Sequence, residues 1–524
     1  MTTITVARTS DLRPGEMRLV EASEEKILLL RNLDGRWRAL APTCPHAGAP
    51  LEKGALCGSR LICPWHKSCF SALDGALLES PSLESLHTYF LEIIGDEVRV
   101  DPEPSTHMNH SPDHGKASPR ADQTFVILGG GAAGAAAVRE LRGLGFAGRL
   151  VMISREHRNP YDRTLLSKMY LSGQADAKQL PLRPENLLRD CAVDFLVAEI
   201  DEVDPESRTI RFKEETAPAL QYDEALIATG GKPKLFPMAD EESQPLLLRN
   251  VEDANSIIAA AEKAETAVLI GASFISMEVA SAFRERGLAV TIVSEEHIPL
   301  LKQLGPEMGQ LLLEKHLQKG VRFLPEARVM SINKVASGSI IKLSSNEQLR
   351  ADLVVSGIGI EPATAFLRKI SRGEDQSLPV DASMRIMGTR HIFAAGDVAN
   401  FPLPDSGQRV RIEHWRVAQE QARTAAANMM GLEKTYSGVP YFWTYHYGVR
   451  YEFFGLRPDD SQLVIDGDLQ EPRFVAAYVR EGRCEGVFSA NRESETAKLF
   501  DQMESEGPPS LETFHTVVST KRAG

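Results

Sequence analysis

Positive charge is in deficit in this chain: 59 Lys and Arg stand against 72 Asp and Glu, a formal net charge of -13 at pH 7. No global positive field therefore draws it to nucleic acid or anionic lipid. Long apolar runs are also missing. The longest uncharged apolar stretch, residues 125–138, is rich in Gly and Ala and too short to cross a bilayer, so no membrane span is expected. Met1 to Arg8 lacks a basic start followed by an apolar core, and no secretory signal is expected. Cysteine is scarce, six in 524 residues, which excludes a disulfide scaffold and points to reduced thiols in a cytoplasmic setting. Biased composition is absent as well: 43% hydrophobic and 25% charged residues are ordinary for folded domains, not for fibrous or disordered chains. At roughly 100–200 residues per domain, the length leaves room for three or four of them.

What is present is unevenly placed. Residues 1–103 alternate short apolar runs with turn signals such as Asn32-Leu33-Asp34-Gly35 and Asp74-Gly75, predicting a small all-β domain. Residues 104–122 are rich in Pro, Ser, His and Asp with few apolar side chains, as a solvated linker requires. Apolar strand-like runs then alternate with helical patterns, first over Phe125–Leu128, Ala132–Leu144 and Leu150–Ile153, and again over Ala267–Ile270, Ile275–Arg286 and Val290–Val293. That alternation predicts two Rossmann-like α/β units with parallel sheets. From residue 436 to 524, aromatic and alternating segments predict a smaller α+β domain.

Cys44, Cys57, Cys63 and Cys69 crowd the first domain, while Cys191 and Cys484 stand alone. Cys44-Pro45-His46 is separated by 16 residues from Cys63-Pro64-Trp65-His66, so two loops each offer one thiolate and one imidazole. Two sulfur ligands on one iron and two nitrogen ligands on the other describe a Rieske [2Fe–2S] centre. The same ligand types also make a Cys₂His₂ zinc site, although zinc fingers usually pair like with like and here the pairs are mixed. The loops Cys44 to Leu51 and Cys63 to His66 resemble the Rieske ferredoxin family, and the resemblance spans the surrounding ~100 residues. Its high-potential members carry an extra cysteine in each loop; Ala49 and Trp65 stand there in this chain, so the resemblance implies the low-potential branch. Lys67 stands where that family usually has glycine, and Cys57 and Cys69 lie off the ligand pattern as small core residues.

Phe125–Leu128 runs directly into Gly129-Gly130-Gly131-Ala132-Ala133-Gly134, a G-x-G-x-x-G turn between strand and Ala-rich helix. Its glycines permit the tight turn and close approach of a pyrophosphate, and the helix N-terminus favours the anion. After the next strand, Glu156 offers a carboxylate to a ribose. A glycine-rich core turn without ligand would read the same way. Further blocks follow in order: Asn159 to Lys168, Ala228-Thr229-Gly230, and Thr389 to Asp397 with its Gly396-Asp397 end. Their order resembles two-dinucleotide flavoprotein reductases, in the ferredoxin-reductase and apoptosis-inducing-factor branch, over about 400 residues. The resemblance implies FAD in a discontinuous domain, 123–246 plus 367–435, with NAD(P)H in 247–366 and a reductase C-terminal domain at 436–524. It implies Asp397 near the ribityl or phosphate region, with Arg163 and Lys168 near pyrophosphate and ring, where cations oppose phosphate charge. Solvated surface charge is the plain alternative for those two residues.

In the second unit Gly271 is kept, while Ser273 and Ser276 replace two glycines of the motif. Glu278 matches a family glutamate near the nicotinamide, and Gly357 belongs to the same expected site. Ser294-Glu295-Glu296 offers carboxylates after the next strand, with Glu295 as the expected ribose contact. Repulsion of a 2′-phosphate then favours NADH over NADPH. Glu413, His414 and Trp415, and further on Trp443, resemble the family's flavin-edge segments. Lys168, Glu278, Glu413 and Trp415 are the expected catalytic side chains.

The stretch Arg163 to Lys168 contains no cysteine, so the C-x-x-x-x-C thiol route of disulfide-reductase relatives is excluded. A nucleophile elbow, a Walker A loop and H-E-x-x-H are absent too. The expected function is electron transfer from NADH through FAD to the chain's own Rieske cluster, with the N-terminal module docking on its linker and His46 and His66 forming the exit edge toward a partner. The alternatives are an NADH-sensing interaction protein with incidental turnover, and a flavin reductase whose cluster has lost its role. Expected partners are NAD(P)H and a downstream acceptor such as an oxygenase, cytochrome or small redox protein, with a homodimer left open.

Overall fold

Glu25–Arg31 carries an unbroken run, Ile27 to Leu30, that a strand exposed on one face could not tolerate. The computed structural model, which describes residues 2–106, 120–214, 217–404 and 406–519, buries it on both faces. Ile27 and Leu29 join one core with Trp37 and Val98, whereas Leu28 and Leu30 join another with Cys44, Leu61, Cys63 and Phe70. The first core lies in an antiparallel sheet ordered Ile4–Arg8, Glu97–Thr106, Thr88–Ile94, Trp37–Leu40, Glu25–Arg31, Glu16–Ala22. The second supports a smaller sheet of Ala55–Cys57, Arg60–Ile62, Cys69–Ser71 and Leu77–Glu79. Loop 63–68 connects two of its strands, and Cys44 and Cys63 are both anchored in packed hydrophobic surroundings.

Beyond residue 120 the period-2 pattern gives way to fully buried strands, as parallel sheets covered on both faces require. Five parallel strands align in the order Val193–Val197, Arg149–Ser154, Thr124–Leu128, Glu224–Ile227, Ile392–Ala394. The last of these comes from far along the chain, so a second α/β unit is inserted between the fourth and fifth strands. Alanines on helix Ala132–Gly143 and on helix Trp415–Met429 share one core and let the two helices meet closely. The inserted unit has parallel strands Arg322–Leu324, Ala289–Val293, Thr266–Ile270 and Leu353–Ser356. The C-terminal unit is an antiparallel sheet, Tyr441–His446, Val449–Gly455, Arg483–Ala490, Arg473–Arg480, Gln462–Asp468, backed by helices Glu493–Glu506 and Leu511–Ser519. Among the described residues, no helix is long and apolar enough to cross a membrane. The linker expected at 104–122 falls largely on residues 107–119, outside the described residues; its first three continue the strand Glu97–Thr106.

The N-terminal domain is seated on the other units through buried polar contacts. Lys67 is wholly buried; its Nζ lies 2.9 Å from Glu452 Oε2 and donates to Pro64 O at 3.0 Å and Thr496 Oγ1 at 3.2 Å. Glu452 belongs to strand Val449–Gly455, and beside it Tyr441 donates its hydroxyl to Trp65 O at 2.6 Å. Arg450 also donates to Trp65 O. Arg60 reaches Asp501 Oδ1 at 2.6 Å, and Ala497 shares a small core with Ala55, Ile62 and Cys69. Arg416 joins three units at once: it pairs with Glu79 at 2.7 Å and Glu504 at 3.0 Å and donates to Ser80 O.

Lys67 also has φ +60, the left-handed conformation that glycine adopts without strain. The ion pair with Glu452 holds its side chain in place at that backbone position. Lys67→Gly would relieve about 1–2 kcal/mol of backbone strain but strand a buried carboxylate at a cost of about 3–5 kcal/mol. The variant is therefore expected to loosen the seated domain, seen as faster hydrogen exchange over 63–68 and 449–455 in the full-length holoprotein; unchanged exchange would contradict this assignment.

Burial, only partly offset by Arg416 and reinforced by like charge on Glu79 and Glu420, pushes the Glu504 carboxyl up to about 7 from 4.5. A carboxyl raised on folding stabilises the fold in its protonated form. Its contribution is complete below about 4.5 and lost as pH rises through about 7. Glu504→Gln is expected to flatten the fall in Tm across that window relative to the parent chain, measured by thermal unfolding with cofactors bound.

Candidate functional site

The first glycine turn and the chain segments brought back to it enclose a cavity of about 1190 Å³. Gly129, Gly131, Ala132, Ala133, Glu156, Arg163, Lys168, Ala228, Thr229, Gly230, Glu278, Gly396, Asp397, Glu413, His414, Trp415 and Trp443 all line it. Gly129 has φ +121, and a Cβ there would lie 2.1 Å from Ala228 O. A Cβ on Gly131, by contrast, would meet no protein atom within 4 Å, leaving open room at the N-terminus of helix Ala132–Gly143. His414 Nδ1 and Trp415 Nε1 are buried without protein partners on the same wall. Burial pushes the His414 imidazole down to about 4, keeping it neutral. Open room at a helix N-terminus and unpartnered polar atoms farther along fit a dinucleotide whose phosphates meet backbone N–H groups and whose ring system accepts hydrogen bonds.

Several charged side chains on this wall are paired. Glu156 accepts from Arg163 Nη2 at 2.5 Å and from Tyr161 O–H at 2.7 Å. Asp397 pairs with Arg249 Nη2 at 2.8 Å, and Glu413 with Arg411 at 2.6 Å. Lys168 and Glu278 form a buried pair, Nζ to Oε2 at 2.9 Å. Glu278 accepts in addition from Ser167 Oγ at 2.5 Å and Thr444 Oγ1 at 2.7 Å, so both its oxygens are satisfied. Lys168 sits in the π-helical segment Leu166–Tyr170 with non-helical φ/ψ, the bend that aims it inward.

Gly134, Gly271, Ser273, Glu295 and Gly357 do not line this cavity. Gly134 packs behind the first turn against Gly129. The others gather around the second turn. Ser273 caps helix Phe274–Glu285 by accepting from Ser276 N at 3.3 Å, and Gly357 lies against both serine hydroxyls, where a side chain would collide. Serine therefore holds the turn by capping instead of by glycine's freedom. Glu295 is exposed, and Arg328, distant in sequence, pairs with it at 3.1 Å. The carboxylates read from sequence thus share their surface with an arginine.

The two loops of the N-terminal domain bring their four expected ligands together as pairs. His46 Nδ1 and His66 Nδ1 stand 3.0 Å apart, and the buried Cys44 and Cys63 thiols share a hydrogen bond. Against the cost of burial, the Cys44 thiol and the backbone N–H groups of His66 and Trp65 hold the Cys63 thiol down to about 7. Burial pushes the Cys44 thiol up. Burial also holds both imidazoles neutral, the ligating form. Among the described residues, no three His, Cys, Asp or Glu side chains surround a single point. Cys57 and Cys69 lie outside this set, with burial pushing the Cys57 thiol up to about 12.

The expected exit edge is corrected here. His66 is only 9% exposed, and its ring lies 4.2 Å from Trp443, centroid to centroid, at 39°. Trp443 in turn lines the large cavity. Lys168, on that cavity's wall, acts electrostatically on His66, and Asp162 on His46. The imidazole edge of the N-terminal domain faces the reductase interior, because Lys67 and Tyr441 clamp loop 63–68 against strands Tyr441–His446 and Val449–Gly455.

Sequence reasoning missed Arg249, Ser167 and Thr444 as cavity partners, and Lys67 and Glu452 as the seat of the N-terminal domain. Ser167 and Thr444 lie beside expected residues and were within reach. Arg249 and Glu452 carry no local signal; only the fold delivers them.

Three family descriptions match: Rieske [2Fe-2S] domain over residues 2–90, pyridine nucleotide-disulphide oxidoreductase over 123–422, and reductase C-terminal over 441–515. The chain is 34% identical over 518 residues to apoptosis-inducing factor 3 of Mus musculus, covering 96% of this chain and 84% of that protein. It is 31% identical over 373 residues to rhodocoxin reductase of Rhodococcus erythropolis, covering 70% and 86%. The fold matches the ferredoxin reductase for the CYP199A2 system from Rhodopseudomonas palustris with a TM-score of 0.70 and 27% identity, over 75% of this chain and 96% of that one. The chain belongs to the pyridine nucleotide-disulphide oxidoreductase family, as a ferredoxin-reductase-like NAD(P)H flavoprotein carrying a Rieske [2Fe–2S] domain.

Proposed function

We propose that this chain is an NADH-dependent reductase that feeds its own Rieske module and, through it, a separate redox protein. When bound, FAD supplies acceptance of a hydride from a nicotinamide, and the cluster supplies one-electron transfer. Cys44, His46, Cys63 and His66 would hold the cluster. The glycine turn at 129–131, the 228–230 and 396–397 segments and Trp415 would hold FAD. Trp443 carries the reading: its ring touches the ligand His66 on one side and the cavity on the other, so an aromatic bridge replaces water between the two sites. Lys168 places positive charge on the cavity wall where an electron-rich ring would lie, and Glu278, Ser167 and Thr444 hold that ammonium in position.

The dinucleotide preference rests on Glu295 and Glu296. Their negative charge opposes a 2′-phosphate, and Arg328, a cation beside them, is paired with Glu295. Ser273, as cap of helix Phe274–Glu285, keeps the second turn competent for a pyrophosphate.

Trp443→Ala is expected to leave NADH bleaching of the flavin largely intact while slowing the appearance of a Rieske-type EPR signal under anaerobic conditions. Equal rates of signal appearance in the two proteins would remove Trp443 from the route. Bleaching of the parent protein with no cluster signal at all would favour a sensing protein instead. Glu295→Ala frees Arg328, and the ratio of kcat/KM for NADPH over NADH is expected to rise roughly fivefold, the scale of an exposed charge interaction; an unchanged ratio would place dinucleotide choice elsewhere.

A further inference from the structure

Behind the Lys168–Glu278 pair runs a file of polar side chains that electron transfer does not account for. Thr444 Oγ1 is 2.7 Å from Glu278 Oε1 and 2.9 Å from His446 Nε2. His446 Nδ1 lies 3.3 Å from His316 Nε2, and His316 Nδ1 lies 2.9 Å from the hydroxyl of Tyr447. Thr444, His446 and His316 are essentially inaccessible to water, whereas Tyr447 is half-buried. The file joins two units, since His316 stands on helix Leu301–Gln318 of the inserted unit and the hairpin of His446 and Tyr447 belongs to the C-terminal sheet.

One charge orders the whole file. An ionised Glu278 can only accept, so Thr444 donates to it and its lone pair receives His446 Nε2–H. His446 Nδ1 must then accept, which makes His316 Nε2 a donor and His316 Nδ1 an acceptor for Tyr447 O–H. Every hydrogen bond points inward. Burial pushes the His446 imidazole down to about 3 and His316 well below its usual value, so both rings are neutral, each with one donor and one acceptor nitrogen.

We propose that Tyr447, His316, His446 and Thr444 form a proton relay between solvent and Glu278 on the cavity wall. This rests on the reading that the cavity holds a flavin: a hydride brings two electrons with one proton, and bringing the reduced ring to its neutral form takes one more proton from the medium. Glu278 Oε1 takes the Thr444 proton. Thr444 is refilled from His446 Nε2, His446 at Nδ1 from His316 Nε2, His316 at Nδ1 from Tyr447, and Tyr447 from water. Each intermediate group loses one proton and gains one, no electron moves, and the net transfer is one proton from water to Glu278. The transfer reverses every hydrogen bond, which is the polarity needed to return a proton outward on reoxidation. His316, His446 and Tyr447 are positioning residues, acting on the cavity through Glu278.

Two measurements on the full-length holoprotein test this. With ¹⁵N-labelled histidine, His316 and His446 are expected to show neutral rings protonated at Nε2; an imidazolium, or an Nδ1–H form of either ring in the oxidised protein, overturns the relay without any variant being made. In stopped flow with NADH and a pH-indicator dye, proton uptake by the parent protein is expected to keep step with flavin bleaching. In His316→Ala uptake is expected to lag about tenfold or more, to lose its solvent isotope effect, and to recover with added imidazole. A yellow His316→Ala protein whose uptake still keeps step with bleaching overturns the relay and leaves the cavity reading standing. A parent protein that binds no flavin overturns the cavity reading itself.

Discussion

A lysine ammonium held out of water is intolerable unless an anion meets it, and Lys67 with Glu452 satisfies that condition across a domain boundary. The pair joins the loop carrying Cys63 and His66 to the central part of the C-terminal sheet. Its orientation decides which way the imidazoles face. Arg416 repeats the principle nearby, one buried guanidinium serving carboxylates from two other units. Because each pair is desolvated, neither partner can leave without stranding the other, which is what makes the seated arrangement specific.

That seating sets the N-terminal domain directly against the large cavity's wall. His66 rests on Trp443, Trp443 borders the cavity, and the cavity wall carries the Lys168–Glu278 pair. The C-terminal sheet therefore works as more than a cap. Its strand Tyr441–His446 supplies the aromatic bridge from Trp443 and the polar file beginning at Thr444 within four residues. Alternation along a strand explains how both fit: successive side chains point to opposite faces, so Trp443 turns toward the N-terminal domain while Thr444 and His446 turn into the interior.

Much of the fold was legible because local patterns carried it. The short apolar runs and turn signals of residues 1–103, the glycine turn at 129–131 and the repeat of strand and helix after residue 265 are each set within a short span of chain. The cluster loops were legible for a different reason, since ligand chemistry restricts residue type and spacing within a few positions. Lys67 was visible only as an anomaly in a place suited to glycine. Its meaning depends on Glu452, nearly four hundred residues away.

The amino-acid sequence by itself determined the element types, the two glycine turns and the sulfur and imidazole pairs, because these follow from contacts and conformations within a short span of chain. Tertiary structure alone decided that the imidazole edge faces inward, that Arg328 stands beside Glu295, and that three distant segments align a file of hydrogen bonds behind Glu278. Those outcomes depend on pairings between desolvated groups far apart in the chain, and such pairings leave no periodicity for a sequence to display.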